Sequence, residues 1–596
     1  MCGINVIVSK DKNKSKIINK MNDKIIHRGP DASGEYVDDF VALGQRRLSI
    51  IDLAGGIQPM YNEDKSIVIV FNGEIYNYLE LKEELKEHTF ATNCDTEVLI
   101  HGYEEWGVKL LNKLRGMFSF CLYDIKKKEL FLARDHFGIK PLYYYKGRDC
   151  LLFGSEIKSF LEYPSFEKEL NKDMIGAFLT FSFTPGENTF FKNVYKVLPG
   201  HYIKINVENR EMVDESYFKL NFSKTDKSFD EVVNDISSVM KDSVRHHLIS
   251  DVEVGSFLSS GIDSSYLVSL ARPDKTYTVG YDLNKYSEID LARDLTDKLG
   301  ITNISDKISK EEYMAAIEDV FYHMDEPTTD ACSIAVYFLA KLASQDVKVV
   351  LSGEGADEFF GGYNSYDDHP YTKLPLFVRK FVASLCKLLP KNKYTRYLIR
   401  RGLSLEEGYV SINRNFYDDE LNDVLVYKDY LKNKDILKDI YEEYKDENEL
   451  NKKLAIDIKY WLPDNILNIV DKMTMAFSIE SRVPFTDIEV FNLASTLTKD
   501  YKVRDRVTKV ALREAAKKDI PNESYKKKKL GFPVPIRDWI KEDDFYNEIK
   551  STFEMDIVSE LFNRDNIIKL LDDHKNGVKD NYRKVWAIYS FLKIRI

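Results

Sequence analysis

Between residues 67 and 156 the apolar residues come in short runs: IVIVF (67–71), FSFCLYD (118–124), ELFLARD (129–135), LYYYK (142–146) and CLLFGSE (150–156). Runs of this length, bounded by turn residues such as KKK and GRD, predict antiparallel hairpins. Helical patterns at 76–87 and 96–113 interrupt them, which predicts sheets covered by helices. A polar tract over 206–228 marks a domain boundary, and after it Phe229, Val232, Val233, Ile236, Val239 and Met240 recur at helical spacing. Strand-like segments then run into small-residue loops: VEVGSFLSSGIDSS (252–265), TYTVGY (276–281) and VKVVLSGEGADE (347–358). Strand, loop and helix in alternation predict a parallel sheet, with ligands at the carboxyl ends of its strands. Residues 365–455, rich in Lys, Leu and Tyr, predict a helical insertion with little chemistry. The reading is therefore a two-domain α/β protein, residues 2–213 and 228–596.

Composition narrows the function classes. At 596 residues, 44% hydrophobic and 31% charged, the chain is an ordinary globular one with more than one core. A net charge of −11, with both signs mixed throughout, argues against a nucleic-acid or anionic-membrane partner. The six cysteines have no CxxC pair or metal-ligand spacing, and no signal peptide or membrane-length apolar run is present, so a cytoplasmic location is expected.

The sequence opens MCGI. Removal of methionine would leave Cys2 with a free α-amine beside its thiol, a nucleophile carrying its own base. Taken alone, Met-Cys is an incidental thiol, but GQRRLSIID (44–52), FNGEIYN (71–77) and NCDTEV (93–98) hold the other groups amide cleavage needs. Asn72 and the backbone of Gly73 are donors suited to an oxyanion, and Arg47, Asp95 and Glu74 suit the α-carboxylate and α-ammonium of an amino-acid substrate. With HRGPD (27–31), GMFSF (116–120) and RDHFGIKPLYY (134–144), these segments resemble the class II glutamine amidotransferases, which are N-terminal-nucleophile hydrolases. The resemblance implies an αββα sandwich in which Cys2 attacks the side-chain amide of L-glutamine and releases ammonia. Arg47 and Asp95 would hold that glutamine with help from the backbone of Ile50 and Ile51, and HRGPD would be a structural and gating loop.

No GxxxxGK[ST] occurs, yet LSSGIDSS (258–265) follows a strand and opens a predicted helix, where small residues let backbone N–H groups approach phosphates. Asp263 is a candidate Mg²⁺ ligand there, and LSGEGADE (351–358) adds Asp357 for the metal and Glu354 as acid/base. With VLSGEGADEFFGGY (350–363), SRVPF (481–485), KVALREA (509–515) and KKKLGFPVP (527–535), the second half resembles the asparagine synthetase family, of the ATP-pyrophosphatase type. Carried over by motif, Leu258, Ser259, Ser260, Gly261, Asp263, Ser264, Val279, Ser352 and Gly353 would contact ATP and its pyrophosphate. Asp263 and Asp357 would hold Mg²⁺, Lys509 would stabilise charge on the α-phosphate, and Glu354 would handle the proton as ammonia attacks. The resemblance also implies an internal ammonia passage and small-molecule partners, L-glutamine, L-aspartate and ATP, and is compatible with a homodimer.

The family's loop is SGGxDS, and serine at position 260 takes positive φ less freely than glycine. Lys526 to Lys529 are either a solvated basic patch or a closure over pyrophosphate, while His136, His246, His247 and Cys94 read as structural. DEPTTDACSIA (325–335) falls where family members shape the acceptor pocket. The acceptor expected first is aspartate, the alternative being a cell-envelope peptide or sugar acid. A third reading is an inactive homologue that senses glutamine or nucleotide.

Overall fold

The computed structural model describes residues 2–283, 286–367, 374–390, 393–525 and 534–593. The first unit is built from β1 (Cys2–Val8), β2 (Ala32–Val37), β3 (Val41–Arg47), β4 (Met60–Tyr61), β5 (Ile67–Ile75), β6 (Gly116–Asp124), β7 (Glu129–Arg134), β8 (Tyr143–Lys146), β9 (Leu151–Gly154), β10 (Val194–Lys196), β11 (His201–Asn206) and β12 (Met212–Ser216). These form two antiparallel sheets, ordered β10-β8-β9-β1-β3-β2 and β12-β11-β7-β6-β5-β4. Successive side chains of a strand face opposite ways, and the residues sort accordingly. Ile4, Val6 and Val8 of β1 meet Val68 and Val70 of β5 in a core between the sheets. Ile7 and Ile69 point outward, Ile7 beneath helix α1 (Lys14–Lys24), whose Ile17, Ile18 and Met21 are buried. Helices α2 (Tyr78–Glu84) and α3 (Glu97–Trp106) cover the outer face of the second sheet, which completes an αββα sandwich.

The tract 206–228 is not all linker. It contains β12, a sheet-edge strand whose side chains are mostly exposed, so it lacks the apolar alternation that would have marked it. The helix expected over 96–113 is α3 followed by a 3₁₀ turn to Asn112.

Helix α4 (Met174–Phe181) precedes the last three strands of the first unit, and α5 (Phe229–His247) opens the second with a capping box in which Ser228 and Glu231 satisfy each other's backbone N–H groups. A fully parallel sheet follows, made of β13 (Val254–Phe257), β14 (Lys275–Tyr281), β15 (Thr302–Ile308), β16 (Val349–Leu351) and β17 (Glu480–Arg482), in the order β15-β14-β13-β16-β17. The chain winds from β13 outward to β15 and then crosses to the other side of β13. The crevice at the ends of β13 and β16 is therefore a topological switch point, where such sheets bind ligands. The described residues between 376 and 456 are dominated by short helices.

Candidate functional site

Cys2 begins β1 and pairs in register with Arg47 of β3, while Asn72, Gly73 and Glu74 lie on β5 of the facing sheet. The Cys2 nitrogen donates to Asn72 Oδ1 at 3.0 Å, which leaves the Asn72 amide group near Ser119 Oγ at 3.5 Å. That nitrogen is the Met1–Cys2 amide in the encoded chain and becomes the α-amine once methionine is removed. Gly73 has φ +156°, and a Cβ there would stand 2.0 Å from the Met117 carbonyl, so only glycine fits at this point of β5. Burial pushes the Cys2 thiol up, which makes it a poor nucleophile without a base.

Around it the Arg47 guanidinium is steadied by the carbonyls of Ile51, Asp52 and Leu53 at 3.3, 2.7 and 3.2 Å. The Ile51 carbonyl thus serves Arg47, and the Ile50 carbonyl accepts from Asp251 of the second unit at 3.1 Å. Asp95 is aimed by the Ile75 amide at 2.9 Å and by the Cys94 thiol at 3.4 Å, so Cys94 buttresses the site. Burial, with Glu480 and Asp95 close by, pushes the Glu74 carboxyl well above its usual range; burial also raises Asp95. Glu74 lies 3.5 Å from Arg482, a fully buried residue of β17.

The second centre occupies the switch point. A cavity of about 230 Å³ is lined by Leu258, Ser259, Gly261, Asp263, Ser264, Val279, Ser352, Gly353, Glu354 and Asp357. Helix α6 (Ile262–Ala271) starts here without a side-chain cap, so its first N–H groups remain for a ligand. Ser264 Oγ lies 2.9 Å from Ser259 Oγ, which holds the loop closed. Gly355, at φ +90°, makes the turn after Glu354, and a Cβ there would lie 2.3 Å from Thr486 Oγ1. Lys509 Nζ reaches Asp263 at 2.6 Å and Asp357 at 2.8 Å. Two carboxylates converging on one cationic point are a donor set that fits a hard divalent ion.

Ser260 is absent from the cavity wall. It does not adopt positive φ, and its hydroxyl donates to Glu288 at 2.7 Å, so serine is accommodated without strain. Lys526 to Lys529 lie outside the described residues. The segment 325–335 divides. Asp325 pairs with Lys158 and Lys472 at 2.8 and 2.7 Å, and Glu326 accepts from the Phe190 amide, so both face the first unit. Asp330 and Cys332 line the cavity instead.

A buried ionic seam joins the two centres. Arg28 donates to the Cys2 carbonyl at 3.2 Å and pairs with Glu156 at 3.0 Å and with Asp471 at 2.9 Å. Asp471 also meets Lys140 at 3.3 Å, and its helix, Asn468–Met475, puts Ile469 and Val470 on the cavity wall. A larger cavity of about 760 Å³, lined by Arg379, Arg400, Arg401, Lys453 and Arg506 among others, contains none of the motif residues.

Residues 1–218 match the glutamine amidotransferase domain family, and residues 235–594 match the asparagine synthase family. The chain belongs to the asparagine synthase family. Its relatives include asparagine synthetase (glutamine-hydrolysing) 1 of Bacillus subtilis strain 168, 39% identical over 611 residues that cover 99% of this chain and 96% of that one. Asparagine synthetase (glutamine-hydrolysing) 3 of the same organism is 29% identical, covering 91% of this chain and 89% of that one. Amidase chry2 of Gibberella zeae strain PH-1 is 30% identical, covering 87% and 84%.

Several site residues of this asparagine synthase family member escaped the sequence reading. Glu288, Val336, Leu339 and Ile466 line the cavity outside the segments singled out above, and Arg28, Glu156, Asp471 and Arg482 form the seam. The RGPD of HRGPD and the SRVPF motif were the available signals for Arg28 and Arg482, since a charged residue in an apolar context announces a buried partner.

Proposed function

We propose that the protein converts L-aspartate to L-asparagine, with L-glutamine as nitrogen donor and ATP cleaved to AMP and pyrophosphate. The observation that carries this reading is the placement, in one chain, of a cysteine backed by Asn72 beside Arg47 and Asp95, and of an Asp263–Lys509–Asp357 cluster at the switch point of a parallel sheet.

With Met1 removed, the Cys2 α-amine takes the thiol proton while donating to Asn72 Oδ1, and the sulfur attacks the glutamine amide carbon. The developing oxyanion is met by the Asn72 amide group and the Gly73 N–H, each such donor being worth about 10²–10³ in rate. Ammonia leaves with the proton returned by the amine, and water then releases glutamate from the thioester. Arg47 binds the glutamine carboxylate, and Asp95, assisted by Glu74, binds its ammonium.

In the synthetase half the β-carboxylate of aspartate attacks the α-phosphorus, pyrophosphate departs, and a β-aspartyl-adenylate forms. Ser259, Gly261 and Ser264 cradle the pyrophosphate, Leu258 and Val279 flank the base, and Lys509 swings from the carboxylates to the α-phosphate. Mg²⁺, held by Asp263 and Asp357, would supply neutralisation of the phosphate charge. Glu354 accepts a proton as ammonia displaces AMP. Ammonia made at Cys2 travels along the seam, which keeps it from protonation in bulk water. A cytoplasmic location is part of this proposal, and no described helix is long and apolar enough to cross a membrane.

The test is pyrophosphate release with ATP, Mg²⁺ and ammonium, with and without L-aspartate. Aspartate-dependent release accompanied by asparagine is expected. Aspartate-independent behaviour alongside intact glutaminase activity would direct attention to another carboxylate acceptor.

A further inference from the structure

Glu63, His88 and His101 each present a ligand atom within 4.8 Å of the other two. They come from three separate segments: the turn between β4 and β5, the stretch after α2, and the middle of α3. None takes part in either half-reaction described above. His101 is 1% exposed, and its Nδ1 lies 3.1 Å from Glu104 Oε2. Its buried Nε2 makes no hydrogen bond and has Glu97 Oε1 3.6 Å away. Glu97 is itself fixed by the Ala91 and Thr92 amides at 2.7 and 2.8 Å and by the Thr92 hydroxyl at 2.6 Å. The His88 ring sits against that of His101, centroids 4.8 Å apart, and His88 Nδ1 is 3.9 Å from the same Glu104 oxygen. Asn62 donates to the other Glu104 oxygen at 2.8 Å and so orients that carboxylate.

We propose that Glu63, His88, His101 and Glu104 form a site for one divalent transition-metal ion of the Zn²⁺ class, with Glu97 orienting His101 from behind. Two imidazoles and two carboxylates are the borderline donors that such ions select over Mg²⁺ and Ca²⁺. Glu97 Oε1 faces Nε2 at 3.6 Å, and closing that gap as Nδ1 takes the metal would complete the carboxylate–histidine–metal relay that fixes tautomer and ring orientation. The two carboxylates balance the ion's charge. Ligands 2.0–2.1 Å from a tetrahedral ion stand about 3.3 Å apart, so separations of up to 4.8 Å must close by as much as about 1.5 Å. The loop residues His88 and Glu63, half-buried and exposed, have room for it. A histidine merely paired with Glu97 and Glu104 accounts for His101 alone; it leaves unexplained the second imidazole against that ring and the convergence of Glu63. The ion would clamp to α3, which follows Asp95, the turn that leads into β5, the strand that carries Asn72.

The experiment uses the untagged full-length protein, stripped with chelator and held in excess Mg²⁺ to saturate the synthetase carboxylates. Titration with Co²⁺ should give a tetrahedral ligand-field absorption saturating at one equivalent, displaced by Zn²⁺, and Zn²⁺ should raise the melting temperature. His88→Ala and Glu63→Gln, both loop substitutions at positions that are not fully buried, should each weaken Co²⁺ binding by about 100-fold. Both should keep wild-type ammonium-dependent synthesis and glutaminase activity without metal. Absence of the absorption band, unchanged affinity in His88→Ala, or a band lost on Cys2→Ala instead would overturn the proposal.

Discussion

Gly73 leaves no space for a methyl group against β6, its neighbour in the same sheet, the Met117 carbonyl standing 2.0 Å from where a Cβ would be. Gly73→Ala must shift β5 and move an oxyanion donor, so glutamine-dependent synthesis should fall about 10²–10³-fold while ammonium-dependent synthesis stays. Cys2→Ala should abolish the first activity and spare the second. Asp357→Ala should reverse the pattern, keeping glutaminase activity and losing pyrophosphate release, because it removes one of the two carboxylates facing Lys509. Parallel assays with glutamine and ammonium check all three. At this scale the sequence was most legible: Cys2, Asn72, Asp263 and Asp357 stand in short motifs whose residue types follow from local chemistry. Ser260 was less so, because whether a loop position needs positive φ depends on the backbone path, and this one does not.

The helix Asn468–Met475 has Asp471 among the buried cations of the first unit and Val470 on the cavity wall of the second. Removing one partner of a buried pair leaves the other charge uncompensated, which costs about 3–5 kcal/mol. Arg28→Ala should therefore destabilise the protein by that amount, and the Arg28→Ala/Asp471→Asn double variant should lose less than the sum of the two. Denaturation of the four proteins of the cycle measures the coupling; strict additivity would mean the pair acts independently. Element types were readable from periodicity in α5, where one face is buried, and from an unbroken apolar run in β5, where both faces are. The edge strand β12 was not, since an exposed strand shows no apolar alternation. The acceptor segment at 325–335 was legible as a segment and not residue by residue: Asp330 and Cys332 line the cavity, whereas Asp325 and Glu326 are drawn toward Lys158 and the Phe190 amide of the other unit.

Across the whole molecule, the two units behave as one because polar groups of each are satisfied by the other. Arg115 of the first unit pairs with Asp242 of α5 at 2.8 Å, and His247 of α5 packs its ring against that of Tyr76 of the first unit, centroids 4.0 Å apart. Burial holds its imidazole down at about 4. Native His247 thus stays neutral while the unfolded chain protonates near 6.5, so stability present above that pH is lost as pH falls toward 4. Between pH 7 and 5 the wild type should lose about 2 kcal/mol more than His247→Asn, read from urea midpoints at the two pH values.

The sequence by itself determined the two chemistries, the sandwich and the parallel sheet, because strand alternation, helix periodicity and small-residue loops are local consequences of residue order. Only the tertiary structure decided which charges meet across the seam, that Ser260 turns to Glu288, and that Glu97, His101 and Glu104 of one helix face His88 and Glu63 from two other segments. Pairing between distant residues depends on how the packed layers align, and a buried charge accepts whichever opposite partner that alignment delivers.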